Sequence, residues 1–108
     1  MITGTYKADR KPLGYRQHTV STTALGLDDL TGGIPAGATY ARIVVETNAV
    51  RWRDDGEAAT TSVGMLQSND SNNEIELHST ESIRNFSVIR DAADSVISVV
   101  YYSANKSY

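Results

Sequence analysis

Asp54, Asp55 and Glu57 stand close together in the chain, and a pair of acids, one protonated and one ionised, is the arrangement that hydrolyses glycosidic bonds. Adjacent residues of a strand or tight turn point apart, however, and no other titratable group clusters with these three. A solvated turn paired with Arg51 or Arg53 is the better reading. The only histidines, His18 and His78, fall one short of a three-histidine metal site, which leaves them as exposed or hydrogen-bonded strand residues. Asp70, Asn72 and Glu74 alternate in an oxygen-rich loop as calcium ligands do, but without the glycine that such a loop uses for its sharp turn. Gly32, Gly33 and Gly37 precede no helix that would aim an N-terminal dipole at a phosphate. Cysteine is absent, which removes disulfides, thiolate metal sites and a thiol nucleophile together. No catalytic, metal or cofactor residue is therefore expected, and the chain reads as a binding protein rather than an enzyme.

A chain of 108 residues makes one domain, and folding at that size buries about 65% of the surface the unfolded chain exposes. With 40% hydrophobic and 21% charged residues, the composition is that of an ordinary globular protein. The net charge of −3 is unevenly divided: residues 1–20 carry Lys7, Arg10, Lys11 and Arg16 against Asp9 alone, whereas the remainder is acidic. An acidic body repels phosphate and the basic head lacks a dense Arg/Lys run, so nucleic acid is not an expected partner. No apolar run approaches the ~20 residues of a bilayer span, and Met1 to Arg10 lacks the apolar core of a signal peptide. Synthesis in the cytoplasm and no membrane partner are expected.

The elements that would place any binding residue are strands. Ile2 to Arg16 has no clear period and contains Gly4, Pro12 and Gly14, so residues 1–16 read as an extended arm and residues 17–108 as the body. From Gln17, His18, Val20, Thr22 and Ala24 alternate with Thr19, Ser21 and Thr23, as in a half-solvated first strand. Gly32 to Gly37 is a turn. Beyond it, Ala41, Ile43, Val45 and Thr47 alternate with Tyr40, Arg42, Val44 and Glu46, the aliphatic set facing a core. Glu46 to Ala49 is expected to make a hairpin connection to Val50–Arg53, where Val50 and Trp52 share one face and Arg51 and Arg53 the other. Ala58 to Leu66 reads as a short strand or bulged segment. Ile75 and Leu77 mark the buried side of another strand, and Ile83 to Ile89 carries Phe86, Val88 and Ile89. After a turn at Asp91 to Asp94, the apolar run from Ser95 to Tyr102 is expected to be buried on both faces. No window shows a helical apolar stripe, so the expected fold is all-β, a jelly-roll-like antiparallel β-sandwich of about seven or eight short strands.

Three stretches carry a resemblance. Ile34-Pro35-Ala36-Gly37-Ala38-Thr39 leads into an aliphatic strand. Val50-Arg51-Trp52-Arg53-Asp54-Asp55-Gly56 follows, with Thr60 and Gly64-Met65 after it, and Val99-Val100-Tyr101-Tyr102 ends the last strand. In this order they resemble the small β-sandwich virion proteins of tailed bacteriophages, some of which are capsid decoration, or cement, proteins. The resemblance spans residues 34–102. Between Leu66 and Ile75 the chain departs from that pattern, with Ser68 to Asn73 in place of a glycine-containing turn.

The resemblance implies a non-enzymatic protein on the outer capsid surface that clamps the major capsid protein lattice, as a homotrimer at local threefold positions. The alternative is a tail, fibre or head-to-tail connector component with a glycan-binding jelly roll, which an exposed Trp52 beside Asp54 or Asp55 would favour. The partner-binding residues expected are Tyr6, Lys7, Arg10, Lys11, Tyr15 and Arg16 on the arm, Arg51 and Arg53 on the outer face of their strand, and Tyr102.

Overall fold

The computed structural model describes residues 9–70 and 74–105. Among these residues are eight strands: β1 (Asp9–Val20), β2 (Leu25–Gly26), β3 (Tyr40–Val45), β4 (Val50–Arg53), β5 (Met65–Gln67), β6 (Ile75–Leu77), β7 (Ser87–Arg90) and β8 (Ser95–Asn105). A 3-10 turn at Leu27–Asp29 follows β2, and an α-helix, α1 (Thr80–Asn85), precedes β7. The strands form two four-stranded sheets in the orders β1-β8-β3-β6 and β2-β7-β4-β5. Every pairing is antiparallel. First strand pairs with last, second with seventh, third with sixth and fourth with fifth, so the chain is one long hairpin rolled over itself. That nesting is the jelly roll expected from the strand spacing.

The core lies between the sheets. Val20, Ala41, Ile43, Val45, Ile97, Val99 and Tyr101 of the first sheet meet Val50 and Val88 of the second, with Leu27, Ile83 and Phe86 closing its sides. On β3 the expected aliphatic set, Ala41, Ile43 and Val45, is the buried one, and Ile75 and Leu77 of β6 are buried beside it. The Gly32 to Gly37 turn forms as expected, with φ of +91° at Gly32 and +87° at Gly37, conformations open to glycine at little cost. Arg16 fixes this turn by donating from Nε to the Gly33 carbonyl at 3.0 Å and from Nη2 to that of Gly32 at 3.2 Å. A Cβ at Gly32 would stand 2.7 Å from Arg16 Nε, so a side chain there would strain φ and push the Arg16 guanidinium off the turn.

Several expectations are corrected. Asp9 to Arg16 is not an arm outside the body. It is the first part of β1, which pairs with β8 from Asp9↔Asn105 to Val20↔Ser95, and no boundary falls at Gln17. Pro12 is tolerated because β1 is an edge strand. Tyr6 and Lys7 lie outside the described residues. The first strand ends at Val20, so Thr22 and Ala24 fall beyond it.

β3 and β4 are not hairpin partners. Each already has two neighbours in its own sheet, and the connection between them crosses from one sheet to the other. Ser95 Oγ holds that crossing by accepting from the Asn48 N–H at 3.2 Å. Of Ala58 to Leu66, only Met65 and Leu66 enter a strand. β8 is central, as its apolar run implies, but its burial alternates: Ile97, Val99 and Tyr101 are buried while Val96, Val100 and Tyr102 are half-buried. Helix α1 was not expected. Ser79 caps it by accepting from the Ser82 N–H at 3.0 Å, with Glu81 in the first turn and Arg84 in the last.

Candidate interaction surface

Antiparallel pairing places opposite residues on the same face, so the register of the first sheet defines its outer surface. Tyr15 stands against Val100, Gln17 against Ser98 and Pro12 against Tyr102. Across β8, Arg42 stands against Val100 and Tyr40 against Tyr102. Half-buried Val44, Val96 and Val100 form an apolar spine on this face, and Tyr15 beside it is 55% exposed.

One end of the spine is aromatic. The Tyr40 ring lies 5.5 Å from that of Tyr102 and 5.3 Å from that of His78, and the Arg10 guanidinium sits 3.7 Å from the Tyr40 centroid. Burial and the neighbouring Glu76 push the Tyr40 hydroxyl above its ordinary pKa. Arg42 donates to Glu74 at 2.8 Å and to the Tyr102 hydroxyl at 3.1 Å, and both contacts raise its pKa further above the ordinary guanidinium value. At the other end, Tyr15 pairs with Ser98 Oγ at 3.0 Å, while Ser98 and Gln17 both donate to Glu46.

Beyond this surface the pairs Lys11↔Ser103, Arg10↔Ala104 and Asp9↔Asn105 continue past Tyr40, where β3 begins. The end of the sheet is thus a two-stranded ribbon carrying Lys11, which is exposed. Of the expected partner residues, Arg10, Tyr15 and Tyr102 are brought together on the outer face here, with Lys11, opposite Ser103, at the same end but on the reverse face. The other three described ones are not. Arg16 is occupied by the glycine turn. Arg51, on the second sheet, donates to Asp91 at 3.0 Å and to the Gly64 carbonyl at 3.1 Å. Arg53 makes a two-pronged contact with Asp55 at 2.7 and 2.5 Å.

Arg42, Glu74 and His78 belong to this surface, with Tyr40 on the same face but buried beneath Arg10, His78 and Tyr102, and none of the four is among the expected site residues. The alternation of β3 was the available signal, because any residue out of phase with Ala41, Ile43 and Val45 must face outward. Trp52 is half-buried against the core with its ring 5.7 Å from that of Phe86, so it is not the exposed indole a glycan-binding face would use.

The carboxylates do not converge. Asp54 accepts a hydrogen bond from the Ser82 hydroxyl, and Asp55 is held by Arg53. That pairing lowers the Asp55 carboxyl to about 2. A lowered acid contributes its ion pair at all pH values above the ordinary carboxylate range and loses it only as pH falls through about 2. In a carboxyl-carbon NMR titration Asp55 is expected to turn over near 2 and to return to the ordinary range in Arg53→Gln. An ordinary midpoint in the unmodified protein would show that the pair does not persist in solution. His18 and His78 belong to the two edges of one sheet, near β1 and β6 respectively. Among the described residues no group of three His, Cys, Asp or Glu side chains could hold a metal. Of the calcium-like trio, Asn72 lies outside the described residues and Glu74 is paired with Arg42.

No protein-family model, curated protein or solved structure matches this chain.

Proposed function

We propose that this chain is a non-enzymatic structural protein of a tailed-phage virion, a capsid decoration protein that binds the major capsid protein lattice from outside and stabilises it. The observation that carries the reading is the convergence of Arg10, Tyr15 and Tyr102 on the outer face of the first sheet, next to a half-exposed valine spine, with Lys11 exposed at the same end on the reverse face of the ribbon. An amphipathic face with a basic rim and tyrosines suits protein recognition. The motif resemblance over residues 34–102 supplies the virion setting. Many copies on a symmetric lattice would let modest contacts per copy suffice.

Because Asp9 to Arg16 pairs with β8, removing the segment would strip the sheet of an edge strand. Substitutions at exposed positions are the cleaner test. The full chain and its Arg10→Gln/Tyr15→Ser variant are compared for occupancy on undecorated shells of the parent phage by electron microscopy. The variant is expected to keep its circular dichroism spectrum and lose at least about tenfold in affinity, as removal of an interface tyrosine commonly does. Full occupancy by the variant would remove this face from the contact, and failure of the unmodified chain to bind shells would overturn the function.

A further inference from the structure

We propose that two copies of this chain associate through β5, antiparallel about a twofold axis at Leu66, to make one continuous sheet. The four sheet edges differ sharply in how they are guarded. β1 carries Lys11, Pro12 and Arg16, with a register shift between Pro12 and Gly14. β6 carries Glu76, flanked by Glu74 and His78, and β2 is only two residues long. Charges, proline, bulges and shortness are the devices that keep strand edges from pairing with other chains.

β5 has none of the charges or prolines. It is three residues long and, among the described residues, the last strand of its sheet, and from Ala58 to Asn69 the sequence contains no charged residue and no proline. Its neighbourhood also holds three of the most exposed large apolar side chains among the described residues: Val63 at 50%, Met65 at 58% and Leu66 at 56%.

Neutrality selects the occupant. About a twofold axis each residue of a strand meets its symmetry mate, and like charges directly opposite are unfavourable. An uncharged edge pairs with itself without that penalty, whereas a twofold at the centre of β6 sets Glu76 against its own copy. Antiparallel pairing of identical strands is self-complementary and closes as a dimer. A twofold at Leu66 sets Leu66 against its own copy and Met65 against Gln67 of the second copy. The adjacent cations do not oppose this, because Arg51 and Arg53 are already paired with Asp91 and Asp55. This twofold contact replaces the threefold association implied by the resemblance, and it is independent of whether the chain binds a capsid.

Sedimentation equilibrium of the full chain over micromolar to millimolar concentration is expected to show a monomer–dimer equilibrium. Leu66→Glu places like charges across the axis while sitting beside Arg51 in its own chain, so it should fold and weaken the dimer about a hundredfold or more. A second readout does not depend on that variant. The natural chain has no cysteine, and directly opposed residues of an antiparallel pair come within disulfide reach. Leu66→Cys should therefore oxidise to a covalent dimer much faster than Ala36→Cys in the exposed glycine-rich turn. A monomer throughout the range, a trimer, a dimer indifferent to Leu66→Glu, or equal crosslinking at both cysteine positions would each overturn the proposal.

Discussion

Phe86→Ala is expected to lower the unfolding free energy by about 3–5 kcal/mol, the range for emptying a buried aromatic site. Phe86 is the chain's only phenylalanine and is 2% exposed. It stands where α1 ends and β7 begins, and its ring meets Trp52 of β4. Its removal would leave a void bordered by a helix, a strand and the indole, none of which can close over it without moving the others. Domains of this size have only about 5–15 kcal/mol in total, so the variant should be marginal at physiological temperature. Phe86→Leu, which keeps much of the volume, should lose markedly less. Urea unfolding followed by Trp52 fluorescence measures both. A loss under about 1 kcal/mol in Phe86→Ala would show that the second sheet and α1 are not joined through this ring.

The elements legible in the sequence were those whose pattern depends on one face being buried. β3 and β6 show their alternation directly, and the glycine turn is marked by residues that its backbone angles demand. What alternation cannot reveal is which strand lies beside which. Tyr40 to Val45 and Val50 to Arg53 look like the arms of a hairpin because both alternate and only Glu46 to Ala49 separates them, yet each has its neighbours taken by strands far along the chain.

β1 was obscured for a different reason. Its register slips between Pro12 and Gly14, so Arg10 and Pro12 face outward before the bulge, and Tyr15 and Gln17 after it. One inserted residue inverts a period of two, and the stretch then shows no period at all. Helix α1, six residues long, is too short to print an apolar stripe.

The surface was legible in part. Exposed tyrosine and basic residues in and after the head of the chain do gather on one face. Arg16, Arg51 and Arg53 share the same residue type but find acceptors within the fold. For Arg16 and Arg51 those acceptors, the Gly32 and Gly33 carbonyls and Asp91, are distant in sequence, so no local pattern could show that these cations were taken. The guanidinium of Arg16 reaches 5.9 Å from the Tyr101 ring centroid, which ties the turn to the middle of the core.

That core position makes Tyr101 the main alkaline weak point of the fold. Its side chain is fully buried and its hydroxyl has no hydrogen-bond partner among the described residues. Burial pushes the hydroxyl up to about 12, with Arg16 pulling it back and Asp28 adding slightly to the rise. An unfolded tyrosine ionises near 10. The stability tied to the neutral phenol is therefore complete below about pH 10. Between about 10 and 12 the unfolded chain releases a proton that the fold retains, and stability falls as pH rises. Two units correspond to about 2–3 kcal/mol over that window. In Tyr101→Phe most of this alkaline slope should vanish, leaving a smaller one from Tyr40, whose hydroxyl is also raised. At neutral pH the variant should be at least as stable as the natural chain, since it removes a buried hydroxyl that gains nothing from the fold. Urea midpoints at pH 7, 10, 11 and 12 for the two proteins separate these effects. Parallel curves would mean that the hydroxyl reaches solvent or a partner once the protein is in solution, and that the packing of Arg16 over Tyr101 does not seal this end of the sandwich.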